Sequence, residues 1–239
     1  MLFRIFRIAT VATALAIQSF QPEALAWFDN THLAIAEAAG FELWYSAAAP
    51  DVAKSKSAFN AIETPNHYFN NIDNREVDEA MVMGQVARYD VPGDREGHLY
   101  GAIIGAVREY RIVKASGKFA LYPLVFCAHY VGDLSMPLHN MAHDDFNKAH
   151  HSFNDGVIDK IVRNNIALIK KNMSVIVVNN ESDLAREIAL VAESARKLGM
   201  AMRKENRDMT PDEAWMQVSR SASLLSAALA YAKREPFAN

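Results

Sequence analysis

The chain has 239 residues and only one cysteine, so no intramolecular disulfide can form and a cysteine-built structural zinc knuckle is excluded. Glycine and proline are scarce, at 10 and 8 residues, which removes collagen-like, low-complexity and disordered readings. Positive charge is not in excess: 25 Lys and Arg stand against 28 Asp and Glu, a formal charge of −3. A general basic footprint for duplex DNA is therefore missing, although a nuclease whose charge comes from bound metal stays open. Past the first residues no apolar run reaches the ~20 residues of a membrane span. Repeats, linkers and charge blocks are missing too. What is present is a composition that is 51% hydrophobic, enough for one domain with a substantial core.

The first 26 residues read as an address. Arg4 and Arg7 form a basic start, Ile8 to Phe20 is largely apolar, and Gln21, Pro22 and Glu23 break the run before Ala24-Leu25-Ala26, an A-x-A cleavage signal. Gln18 and Ser19 interrupt the apolar stretch, which is too short for an anchor. Residues 1–26 are thus expected to be a signal peptide and residues 27–239 the working domain, beginning at Trp27. The protein is expected to be exported, to a periplasm or beyond.

Helical periodicity dominates the rest, and the expected class is all-α, a single-domain multi-helix bundle. Leu184, Ile188, Val191, Leu198 and Met202 follow helical spacing, and so do Trp215, Val218, Ala222, Leu225 and Leu229 after a Thr210-Pro211 start. A further helix is expected from about Gly97 to Lys114, and a short one capped by Asn30 or Thr31 and stopping at Gly40. Ser174 to Val178 is the one β-like run, and it is too short to decide. The segment Leu121 to Leu134, LYPLVFCAHYVGDL, reads as a buried central helix, because Pro123 suits a first turn and the apolar residues leave no polar face. Cys127 on it reads as a small buried hydrophobe.

That helix nevertheless carries His129 and Asp133, four residues apart and on one face. A buried carboxylate needs a partner, which a simple His–Asp hydrogen bond in the core would supply. A second His-x3-Asp pair, His151 and Asp155, lies close behind, with His139 between the two after Pro137. Imidazole with carboxylate is the ligand set of zinc in hydrolytic sites. Of the other histidines, His150 lies on an apolar stripe with Phe146 and Phe153, His143 reads as part of a solvated loop beside Asp144 and Asp145, and His98 reads as structural at a helix start. Tyr68 reads as a core aromatic or a stacking surface.

These residues carry a family resemblance. W-x4-H at Trp27 and His32, H-Y-x-G-D-x-x-x-P-L-H from His129 to His139, and H-x3-D at His151 and Asp155 together resemble the zinc-dependent phospholipase C superfamily, which includes the single-strand-specific nucleases. The likeness runs from Trp27 to about Asp155. It implies a mostly helical fold holding three zinc ions. By this resemblance one zinc takes Asp51, His67, His129 and Asp133, and a second takes His139, His151 and Asp155. The third takes the free amine and carbonyl of Trp27, with His32 and a bridging Asp133. The implied activity is hydrolysis of a phosphodiester by zinc-activated water, with Asp51 and Asp133 catalytic. Such a site suits an anionic ester with a poor leaving group, since metal neutralises charge and acidifies water. The amine ligand exists only once the chain starts at Trp27.

Within the family the stretch from Pro137 to Asp155 is closer to the phospholipase branch, since the Gly-Gly-Asn element and paired cysteines of the nucleases are missing. The positions that would build a choline cage correspond to Asn30, Val52 and Thr64, so the headgroup stays open. The implied partner is a phospholipid at a membrane surface, with single-stranded nucleic acid as the alternative and no protein partner. A non-catalytic exported zinc-binding protein is a third reading, disfavoured by eight His and Asp ligands, more than one structural site requires.

Overall fold

The computed structural model describes residues 27–234; the expected signal segment lies outside the described residues. Every regular element among them is helical. In chain order these are α1 (Asp29–Ala38), α2 (Ala49–Lys54), α3 (Asn60–Glu63), α4 (Glu79–Gln85), α5 (Leu99–Ala115), α6 (Leu121–Leu134), α7 (Asp145–Asp155), α8 (Asp159–Val162), α9 (Ile166–Asn172), α10 (Glu181–Glu205) and α11 (Pro211–Lys233). Short 3-10 turns at Thr64–His67 and Pro137–Asn140 matter for the site. The all-α expectation holds. No helix among the described residues is long and apolar enough to cross a membrane.

The apolar segment read as a central helix is α6. It begins at Leu121, places Pro123 in its first turn, and packs against α5, α11 and α1. Its buried side chains run from Pro123 to Leu134 with Phe126 half-buried, as a helix without a polar face requires. Cys127 is fully buried, and burial pushes its thiol up to about 12. The long amphipathic helices α10 and α11 close the bundle. A capping box in which Thr210 and Glu213 bond each other's main chain starts α11, and Asn206 in the left-handed region ends α10.

One local expectation is corrected and one undecided segment is resolved. Asn30 and Thr31 do not cap α1, which starts at Asp29; Asp159 supplies the cap from α8. Its carboxylate accepts from the Thr31 amide at 3.0 Å, the Thr31 hydroxyl at 3.2 Å and the Asn30 amide at 2.9 Å. Ser174 to Val178 forms no strand. The segment has no neighbour strand to pair with, and Val175 and Val177 are 95% and 65% exposed.

Candidate metal centre

Six elements bring eight histidines and aspartates together. His32 comes from α1, Asp51 from α2, His67 from the 3-10 turn after α3, and His129 and Asp133 from α6. His139 comes from the turn after α6, and His151 and Asp155 from α7. All eight are buried. Their ligating atoms fall into three groups, each spanning no more than 4.8 Å: His32, His129 and Asp133; Asp51, His67 and His129; His139, His151 and Asp155. The third coincides with an expected set. In the other two His129 is shared, while Asp133 lies among all of them: Oδ1 is 3.3 Å from His32 Nε2, and Oδ2 is 3.0 Å from His67 Nδ1 and 3.4 Å from His129 Nε2. Asp51 Oδ1 is 3.6 Å from His129 Nε2 and 3.7 Å from His67 Nδ1.

Which nitrogen faces the cluster is set by what the other one bonds. His129 Nδ1 donates to the Ala47 carbonyl at 2.8 Å, His139 Nδ1 to the His67 carbonyl at 2.7 Å, and His151 Nδ1 to Asn147 Oδ1 at 2.8 Å. His67 is reversed: its Nε2 donates to Glu63 Oε1 at 3.1 Å, leaving Nδ1 inward. In a neutral ring each inward nitrogen is then a bare lone pair. Yet His67 Nδ1 faces His129 Nε2 at 3.2 Å, and His139 Nε2 faces His151 Nε2 at 3.0 Å. Two lone pairs at that distance repel unless a proton or a metal ion lies between them. The spacing is also that of two nitrogens on one tetrahedral zinc, about 3.3 Å for bonds of ~2.0–2.1 Å.

Charge and hydrogen bonding point the same way. Both ring nitrogens of His32 and all four carboxylate oxygens of Asp133 and Asp155 are buried without a hydrogen bond. Burial opposes ionisation of Asp133 and Asp51, but His129 and the other surrounding histidines, with Lys54 beside Asp51, hold both carboxyls far below the usual range. His129 is disfavoured as a cation by burial, yet Asp133 and Asp51 raise it to about 9. Burial lowers His139 to about 4 and holds His151 well below its ordinary value, which favours the neutral, ligating ring in both. Asp155, buried beside Asp133, is pushed far up. A cation between these groups would remove each of these penalties. The residues therefore fit metal ions.

Two glycines make room for rings beside the cluster. A Cβ on Gly132 would lie 2.5 Å from His32 Nδ1, so α6 can accept that ring against its side only as glycine. His32 then stacks on His129 with centroids 3.8 Å apart. Gly156 similarly leaves room for the ring of Phe28, a Cβ there lying 2.7 Å away. Trp27 is fully buried, its indole donating to Ser135 Oγ at 3.4 Å, and the Phe28 amide donates to the Asp155 carbonyl at 3.2 Å. The start of the described chain is thereby held between the ends of α6 and α7.

His67, His139 and His151 open onto a cavity of about 240 Å³ that Lys54, Asn60, Thr64, Tyr68 and His143 also line. Lys54 is buried and pairs with Asp51 Oδ1 at 2.7 Å. Thr64 Oγ1 and His143 Nε2 are buried without a hydrogen-bond partner. His143 is therefore not part of a solvated loop: its ring packs on Tyr68 at 4.4 Å and forms one wall of this cavity, because its main-chain amide is tied to Asn70 Oδ1. His150 stays outside the cluster, stacked on Phe146 and bonded to Asp208 at 2.7 Å. His98 caps α5 and bonds Asp94 and Asn66.

Sequence reasoning missed Lys54, Glu63 and Asn147. Lys54 and Glu63 carry a local signal, since Asp51–Lys54 and Glu63–His67 stand three and four residues apart. Asn147 also stands four before His151. Compared with known proteins, the chain matches no family model and no curated sequence.

Proposed function

We propose that the chain is an exported zinc-dependent hydrolase of phosphoric esters, most closely a phospholipase C acting on the headgroup phosphodiester of a phospholipid. The observation that carries this reading is the opposed imidazole nitrogens of His139 and His151, beside unpartnered buried carboxylates and a cavity. The donor set of histidine and aspartate without thiolate suits zinc doing hydrolysis. Three ions would be held: by Asp51, His67, His129 and Asp133; by His139, His151 and Asp155; and by His32, Asp133 and the amine and carbonyl of Trp27. Zinc there would supply charge neutralisation of the phosphoryl group and acidification of water.

The chain's own residues then do the rest. His67, His139 and His151 form the metal-facing wall of the cavity, and Thr64 and His143 offer donors to phosphoryl oxygens. Asp51, held ionised by His129 and Lys54, is a carboxylate placed to orient water. A lipid fits better than a nucleic acid strand, because Lys54 is the one basic side chain on the cavity wall and it is already paired with Asp51. The α2–α3 stretch that flanks the cavity also exposes Val52 and Phe59, at 58% and 56%, to a membrane surface.

The test is hydrolysis by zinc-loaded protein beginning at Trp27, assayed on phospholipid vesicles and on single-stranded DNA. Release of phosphorylated headgroup supports the reading. Cleavage of DNA alone would move the assignment to the nuclease branch, and binding of zinc with neither product would leave a non-catalytic metal protein.

A further inference from the structure

His67 differs from the other ligands that are fixed by a hydrogen bond: it points Nδ1, not Nε2, into the cluster. The reason lies in a buried chain of polar groups running away from the metal centre. His67 Nε2 donates to Glu63 Oε1 at 3.1 Å, and the same oxygen accepts from the Tyr130 hydroxyl at 2.8 Å. That hydroxyl accepts from Asn66 Nδ2 at 3.1 Å, which also donates to Asp90 Oδ1 at 3.0 Å. Asn66 Oδ1 meets His98 Nε2 at 2.8 Å, and His98 Nδ1 meets Asp94 Oδ2 at 2.8 Å, where Arg88 closes the chain.

Glu63, Asn66, Tyr130 and His98 are all buried, the last three completely. Keeping a carboxyl group in such a place is costly unless it has a task. Glu63 lies on the turn before His67, so its spacing of four aims it at the ring's outer nitrogen. Tyr130 follows the ligand His129 directly, so one helix, α6, carries both a ligand and the group that holds Glu63 still.

We infer that Glu63 is the positioning residue of the metal centre, committing His67 to ligate through Nδ1 while Tyr130 and Asn66 fix Glu63 in place. This rests on the metal-centre reading above and deepens it. A ligand histidine whose outer N–H is held by a carboxyl group keeps one tautomer and one ring orientation, and loss of such a partner costs about 10–100-fold in metal affinity.

The experiment measures zinc content and zinc affinity by chelator competition on Glu63→Ala, Glu63→Gln and Tyr130→Phe, together with the ring-nitrogen NMR shifts of His67. Glu63→Ala is expected to weaken one zinc about 10–100-fold and leave the others tight, with the His67 Nδ1 shift losing its metal-bound position. Glu63→Gln keeps an acceptor for the ring N–H and is expected to restore most of the affinity. Tyr130→Phe keeps the buried ring, so it folds where Glu63→Ala does not, and is expected to weaken the same zinc by a smaller factor. Unchanged affinity in Glu63→Ala, or in Tyr130→Phe if the former does not fold, overturns the inference, as does equal weakening of every zinc. Wild-type protein that holds zinc but cleaves no phosphodiester removes the functional reading and leaves Glu63 its role.

Discussion

Gly132 stands where the imidazole of His32 meets α6, and a Cβ at that position would lie 2.5 Å from His32 Nδ1. Asp133, next in the chain, places Oδ1 3.3 Å from His32 Nε2. The pair therefore joins α1 to α6 at the point where the proposed third zinc would be held. Gly132→Ala is expected to push His32 out and to lower zinc content by one, while the His139, His151 and Asp155 group keeps its ion. Metal analysis by mass spectrometry checks this; an unchanged count would show that His32 is not a ligand.

Asp133 faces His32 through Oδ1 and His67 and His129 through Oδ2, so it lies in the proposed sets of two ions, whereas His151 lies in one. Replacing Asp133 by Ala should therefore cost about two zinc ions, and His151→Ala one. Both should abolish phosphodiester cleavage if that activity is present. Equal losses in the two variants would contradict the shared ligand.

Trp27 is fully buried and tied through Ser135 to the end of α6. If its free amine ligates zinc, protein that retains two residues ahead of Trp27 should hold one zinc fewer than protein beginning there and lose most activity. Equal zinc content in the two forms would remove Trp27 from the ligand set and leave His32 and Asp133 with another partner.

Glu193 on α10 accepts from Arg196 through two bonds of 2.7 Å and from the Val77 amide at 3.0 Å. Arg196 first, then the Val77 amide against the opposing effect of burial, holds its carboxyl at about 2. A folded value below the unfolded one stabilises above the unfolded value of 4.5 and loses that stabilisation as pH falls toward 2. Glu193→Gln should therefore lower stability by about 2 kcal/mol at neutral pH. In chelated protein, where metal release does not intervene, the gap should narrow between pH 4.5 and 2. Thermal melts of both forms across that range test it, and a gap constant with pH would exclude the linkage.

Much of the fold was legible from spacing alone. LYPLVFCAHYVGDL has no polar face, and it is the buried α6. The apolar steps from Leu184 to Met202 and from Trp215 to Leu229 lie within α10 and α11. Asn30 and Thr31 misled because the cap of α1 comes from Asp159, well over a hundred residues away, and no local pattern can report a partner at that distance. Ser174 to Val178 has strand-like side chains but no second strand, and a lone extended segment cannot satisfy its ladder. His143, between acids and a loop, reads as solvated until Tyr68 and Asn70 are seen to hold it in the cavity wall.

What the sequence determined by itself is local: which segments are helical, which helix is buried all round, and that His129 with Asp133 and His151 with Asp155 share faces, since a helix repeats every 3.6 residues wherever it sits. Tertiary structure decided which histidine nitrogen points inward. His129 is turned by the carbonyl of Ala47 and His139 by that of His67, groups 82 and 72 residues distant in the chain. A proton bound on one ring nitrogen exposes the lone pair on the other, so only the packing of these loops onto α6 converts a set of buried histidines into a place for metal.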